Sequence, residues 1–117
     1  PLSEESAGIS DTREMFLVVE KMPEFRGGMD AFEKFIQVNL IYPHNLSENP
    51  IYGNVFIRFI VDIDGSVIDI KIVKGLHPEL DKEAERVIRL TSKKWKPGRK
   101  NGKPVKVQMI VPVKFSI

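Results

Sequence analysis

Residues 54–74 read Asn-Val-Phe-Ile-Arg-Phe-Ile-Val-Asp-Ile, then Asp64-Gly65, then Ser-Val-Ile-Asp-Ile-Lys-Ile-Val-Lys. An Asp-Gly pair between two apolar, β-branched runs signals a two-residue hairpin, because both central residues of a type I′ turn need φ > 0. With Asp64 and Gly65 as the turn, Val61 faces Ile68, Phe59 faces Ile70 and Ile57 faces Ile72. Side chains alternate with period two, so those apolar pairs share one face of the hairpin. A slip of one residue would put Asp69 and Lys71 in that row. Turn chemistry and hydrophobic pattern agree on a hairpin with a core face.

The flanking segments supply the rest of a small domain. Met15 to Val19 is a short apolar run that reads as a strand, and Met22-Pro23 ends it. After Gly27-Gly28, the residues Met29, Phe32, Phe35, Ile36 and Leu40 recur at helical spacing, and Tyr42-Pro43 stops that helix. A second helix opens after Gly75 with Pro78 in its first turn. Its acids Glu79, Asp81 and Glu83 come early and its bases Arg86, Arg89, Lys93 and Lys94 late, as the helix dipole favours. Leu80, Ala84, Val87, Ile88 and Thr91 form one stripe facing the hairpin. Residues 93–104 read as a connecting loop containing Trp95, and a last strand runs from Val105 to Ile117. Its odd-numbered positions are apolar; Ile110, Pro112, Lys114 and Ser116 lie on the other face.

Two amphipathic helices and three amphipathic strands imply an α+β two-layer sandwich, with both helices on one face of a small, mainly antiparallel sheet. The crossover through the second helix predicts the spatial order second hairpin strand, first hairpin strand, last strand. Residues 1–14, rich in Ser and Glu, read as a flexible linker tail, and 15–117 as one domain. Pro112 has no N–H to donate, so its strand is expected at a sheet edge with that position facing outward. Ile110, Pro112, Lys114 and Ser116 then offer backbone groups to an incoming strand, and the same edge can pair with a second copy.

Composition narrows the chemistry. The chain has no cysteine, which excludes disulfides and thiolate catalysis. No apolar run approaches a membrane span and no signal-peptide pattern is visible, so the chain reads as a soluble fragment or a processed product. The net charge of +2 conceals an asymmetry: residues 1–30 hold three bases and seven acids, residues 71–117 thirteen bases and four acids. Seven bases and no acid lie between Lys93 and Lys106. No nucleic-acid recognition motif accompanies them, and they read as a solvated basic loop with Trp95 capping the core. Asp62-x-Asp64-Gly65 lacks the later acceptors and closing Glu of a calcium loop. His44 and His77 stand alone, as surface or loop-cap residues. No catalytic, cofactor or metal site is expected, and an enzyme is not indicated.

From about Met22 to Ile117 the chain resembles the C-terminal domain of TonB proteins, particularly a form common in Bacteroidetes-type bacteria. The matching residues are Met22-Pro23-Glu24-Phe25 with Gly27-Gly28, Tyr42-Pro43, and Gly53-x-Val55-x-Ile57-x-Phe59-x-Val61 with Asp64-Gly65. Pro78-x-Leu80-Asp81-x-x-Ala84-x-x-Val87, Trp95-x-Pro97-Gly98, Gly102-x-Pro104-Val105 and Pro112-Val113-x-Phe115 complete them. Enterobacterial members place Gln-Pro-Gln before Tyr-Pro, where this chain has Asn39-Leu40-Ile41.

The resemblance implies a periplasmic domain of an inner-membrane-anchored protein with a proline-rich spacer. Such a domain binds the TonB box of outer-membrane transporters by strand addition and passes on work from an ExbB–ExbD-type motor. On that reading Ile110, Pro112, Lys114 and Ser116, with Tyr42 and Pro43, contact the TonB box, while Lys93, Lys94, Lys96, Arg99 and Lys100 attract acidic residues of the peptide and the transporter plug. The competing reading is a generic periplasmic interaction module, TolA-like or fused to a sensor, without a transport role.

Overall fold

Strand β3, Gly53–Val61, lies at the centre of the sheet, and Val55, Ile57, Phe59 and Val61 are fully buried along it. The computed structural model describes residues 15–16 and 19–116. The expected linker tail at 1–14 and Ile117 lie outside the described residues. In chain order the elements are β1 (Met15–Phe16), β2 (Glu24–Phe25), α1 (Gly28–Asn39) and a 3-10 turn at His44–Leu46. After β3 come β4 (Val67–Lys74), α2 (Pro78–Arg89), β5 (Trp95–Lys96), β6 (Gly98–Lys100) and β7 (Lys103–Phe115).

The main sheet has the order β1-β7-β3-β4, with β6 pairing β7, while β2 and β5 form a separate two-stranded ladder. Both neighbours of β3 run antiparallel to it, which is the predicted order of the three long strands. Both helices contribute to one core. The α2 stripe Leu80, Ala84, Val87, Ile88 and Thr91 is fully buried, and α1 adds Phe32 and Ile36. Burying a Leu or Phe side chain is worth roughly 1.5–3 kcal/mol. His77 caps α2: its Nδ1 accepts the Glu79 N–H at 3.1 Å, and Pro78 sits in the first turn. Met29 departs from expectation. It lies at the first turn of α1, 58% exposed, whereas Phe32, Phe35, Ile36 and Leu40 pack on the core as expected.

The β3–β4 turn differs from the expected type I′ geometry. The Gly65 N–H donates to Asp62 C=O at 2.9 Å and the Asp62 N–H to Ser66 C=O at 2.8 Å, which encloses a three-residue loop. Only Gly65 takes a positive φ, 86°; Asp64 does not. The side chains account for the difference. Asp62 Oδ1 accepts the Ile63 N–H, and Asp64 Oδ1 accepts the Ser66 N–H at 2.9 Å, an Asx-type turn that leaves one left-handed position for glycine.

That turn pairs Val61 with Val67 instead of Ile68, one residue off the expected register. A β-bulge corrects the phase. Asp69, at φ 51°, and Ile70 together oppose Phe59, which restores the expected Ile57–Ile72 pair. Without the extra residue Asp69 and Lys71 would face the core; with it Ile70 and Ile72 pack there. A second irregularity leaves Val73 unpaired and 55% exposed.

Residues 93–104, expected as a loop, contain ordered structure. Trp95 pairs with Phe25, and Gly98–Lys100 folds back on Lys103–Val105 about Asn101 and Gly102. Those two residues have φ of 52° and 76°, as a two-residue type I′ hairpin requires.

A Cβ on Gly65 would lie 2.5 Å from the Trp95 carbonyl oxygen, on a backbone that side chains rarely adopt. Gly65→Val is therefore expected to cost on the order of 2–4 kcal/mol in urea denaturation. A variant as stable as the parent would contradict this docking of the turn.

Candidate peptide-docking edge

β7 is the longest strand, and its alternation is clean. Val107, Val111, Val113 and Phe115 are buried, whereas Ile110, Pro112, Lys114 and Ser116 are exposed, as the sequence predicts. Its inner edge pairs with β3 without a register break, from Gly53–Phe115 to Val61–Val107. On its outer side β1 pairs in parallel with Lys106 and Val107. Among the described residues no strand pairs with that side beyond Val107.

The opposite edge of the sheet is a poorer template. β4 carries two register irregularities and exposes Lys71, Val73 and Lys74, and bulges and lysines are what blunt an edge against pairing. β7 has neither along residues 108–113. Of the two edges, only β7 is straight enough to template an extended peptide over several residues.

A groove of about 330 Å³ runs beside that edge, lined by Phe32, Glu33, Ile36 and Gln37 of α1 and by Asn54, Pro112 and Lys114. Phe32 and Ile36 are buried and give it an apolar base; Glu33, Gln37 and Lys114 are exposed and polar. The sequence reading missed the α1 contributors. Their signal was Glu33 and Gln37 directly following Phe32 and Ile36, but it becomes meaningful only once α1 is placed beside β7.

Other predicted site residues are engaged elsewhere. The Tyr42 hydroxyl donates to Ile51 C=O at 2.9 Å and accepts the Ile51 N–H at 2.6 Å, while the ring packs edge-on to Phe115 at 6.4 Å. Tyr42 thus ties the segment before β3 to the end of β7. Pro43 lies apart, in a second hollow with Ile41 and α2 residues Glu79, Lys82, Glu83 and Arg86. There Glu83 Oε2 accepts from Arg86 at 2.7 Å, and the Arg86 guanidinium also donates to Asn39 C=O at 2.7 Å, joining α2 to the end of α1. The Glu83 carboxylate raises the Arg86 pKa further.

The five basic residues separate into two groups. Lys93 Nζ bonds Asp64 Oδ2 at 2.8 Å, and Lys94 Nζ lies 5.5 Å from the centre of the Phe35 ring. Lys96 stands opposite Glu24 in the β2–β5 ladder. Arg99 and Lys100 lie on the β6–β7 hairpin, where the Arg99 guanidinium donates to Gly102 C=O at 3.0 Å and half-buried Lys100 faces Lys103. His44 opens the 3-10 turn. Among the described residues no three His, Asp or Glu side chains converge on a point that holds a metal.

Comparison with known proteins adds to this geometry. The family model described as Gram-negative bacterial TonB protein C-terminal matches residues 38–117. Similar solved structures include two NMR solution structures of the Helicobacter pylori TonB C-terminal domain. The 179–285 fragment is 27% identical with a TM-score of 0.59, over 73% of this chain and 76% of that one. The 194–285 fragment is 26% identical with a TM-score of 0.58, over 74% of this chain and 90% of that one. No curated protein matches the chain.

The Asp64 contacts make a testable pH statement. Hydrogen bonds from Lys93 and Ser66 hold its carboxyl well below the usual carboxylate range. A depressed pKa contributes stability above the ordinary value near about 4, and that contribution fades as pH falls through the lower folded value. NMR titration should give an Asp64 midpoint below the other carboxyls, moving up in Lys93→Ala. An ordinary midpoint unchanged by that substitution would contradict the bridge.

Proposed function

Since the chain belongs to the family of Gram-negative bacterial TonB protein C-terminal domains, we propose that it is a periplasmic energy-coupling domain that captures the TonB box of outer-membrane transporters on the outer edge of β7. The observation that carries this reading is the unbulged edge of β7, unpaired beyond Val107 among the described residues, beside a groove with an apolar base. The Met22-Pro23-Glu24-Phe25 and Gly27-Gly28 segment, upstream of the matched residues, supports the Bacteroidetes-type form.

In the proposed complex an extended peptide bonds to the outward backbone groups of Ile110, Lys114 and Ser116, and to the carbonyl of Pro112, which has no N–H to offer. Alternate side chains of the peptide enter the groove over Phe32 and Ile36, flanked by Glu33, Gln37 and Lys114. Such a ladder suits a pulling device, because force along the strand loads all its bonds together. About four net bonds at roughly 0.5–1.5 kcal/mol each fall short of the ~8 kcal/mol of micromolar binding, so burial of peptide side chains over Phe32 and Ile36 has to supply the rest and cover the ordering costs. That strength permits release after each cycle.

Arg99 and Lys100 on the basic hairpin, with Lys96 on the neighbouring β5, steer acidic segments of the transporter towards the edge, an effect on association rate more than on final affinity. Lys93 and Lys94 contribute less, being held by Asp64 and Phe35. The energy derives from an ExbB–ExbD-type motor, reached through an inner-membrane anchor and spacer of the parent protein. The chain itself performs no catalysis in this scheme.

Titration with N-terminal peptides of outer-membrane transporters tests the reading. An amide-to-ester change at Lys114 should weaken peptide binding and leave the fold intact, while the same change at Val113 should damage the fold. Peptide protection of the Val67–Val73 amides from exchange would place the docking edge on β4 and overturn the proposal.

A further inference from the structure

Neither helix covers the second face of the sheet. Even-numbered residues of β3 and β7 point there, and the registers align them in rows: Ile68, Ile60 and Gln108; Lys71, Arg58 and Ile110; Lys74, Phe56 and Pro112. Asn54 and Lys114 form the last row. Ile110 is 55% exposed, and Phe56, Ile60 and Ile68 are half-buried. These apolar side chains are interspersed with cations: Arg58 stands between Phe56 and Ile60 on the middle strand, and Lys71, Lys74 and Lys114 lie on the flanking strands.

The charge arrangement is unfavourable to the isolated fold. Lys71 stands directly across from Arg58, and like charges opposite one another on a sheet are destabilising. Among the described residues none of these four cations forms an ion pair. The nearest acids by register are Asp69, in the bulge, and Asp62, beyond the end of β3 next to the Lys106 row. Among the described residues the face therefore carries a net positive charge that an external anion can compensate.

We propose that this face docks on an anionic phospholipid surface. Two copies placed face to face would oppose their own cations, which argues against self-association through it. Anchoring a protein partner favours a concave pocket, and neither groove of the molecule includes Phe56, Ile60, Ile68 or Ile110. Phospholipid headgroups rearrange laterally to meet cations spread over three strands, while exposed apolar side chains enter the acyl boundary. Docked this way, the helices face away from the bilayer and the outer edge of β7 lies along its surface. The inference does not depend on the peptide-docking proposal.

Co-sedimentation with vesicles of phosphatidylglycerol and phosphatidylethanolamine, against vesicles of phosphatidylcholine alone, tests it. The chain should partition onto the anionic vesicles, and less so as salt rises. The double variant Lys71→Glu with Lys74→Glu should bind about tenfold or more weakly, having lost two cations from the surface, while Lys100→Glu with Lys103→Glu on the hairpin should bind nearly as the parent does. Lys71→Gln with Lys74→Gln, which removes charge without reversing it, replaces the first variant should that one fail to fold. Absence of binding to anionic vesicles would overturn the proposal, as would equal losses for face and hairpin variants. Binding of a polyglutamate peptide to the face without vesicle binding would assign the face to an acidic protein instead.

Discussion

The fold depends on the burial of Trp95. Its ring is 4% exposed and lies 5.4–5.6 Å from three phenylalanines: Phe32 of α1, Phe25 of β2 and Phe59 of β3. Edge-on and tilted contacts of this kind add to the stabilisation from burial alone. The indole N–H donates to Thr91 Oγ1 at 3.0 Å, and that hydroxyl donates to Ile88 C=O at 2.6 Å, so the polar atoms at the end of α2 are satisfied inside the core. The backbone around Trp95 pairs with β2 and packs on Gly65. One side chain therefore fixes where both helices, the β3–β4 turn and the start of the basic hairpin lie relative to the sheet.

That arrangement leaves the two edges of the sheet unequal. The bulge at Asp69 keeps acid and lysine out of the core, and the same distortion spoils β4 as a template. β7 needs no correction, since its apolar residues already alternate, so it stays straight against β3 for nine consecutive pairs. The packing demands of the core thus determine which edge suits an incoming strand. Pro112 reinforces the choice: it removes one donor from the exposed edge and is compatible with no interior position in the sheet.

Much of the fold was legible in the sequence because its periodicities were long and unmixed. The α2 stripe and the β7 alternation follow from apolar spacing, the strand order follows from the crossover through α2, and Pro78 marked the start of α2. The register of β3–β4 was not legible at that level. It depends on Asp62 and Asp64 side chains competing for backbone donors, and on a non-glycine residue accepting a left-handed conformation at the bulge. The hairpin at Asn101-Gly102 carried the same Asn/Asp-Gly signal that was applied to Asp64-Gly65, but its short, lysine-rich strands hid it. At the candidate site β7 was legible and the groove was not, because the groove forms between α1 and β7, which are far apart in sequence. Tyr42 illustrates the reverse case: a residue singled out for a partner spends its hydroxyl on Ile51.

The central claim is that β7 beyond Val107 is bonded on one side and, among the described residues, open on the other. Amide hydrogen exchange of the free chain, resolved by residue, measures this directly. Val111, Val113 and Phe115 should exchange slowly, held by β3, while Ile110, Lys114 and Ser116 exchange at rates close to exposed amides. Uniform protection along 110–116 would show that the outer edge is already occupied in the free chain, and would contradict an open β7.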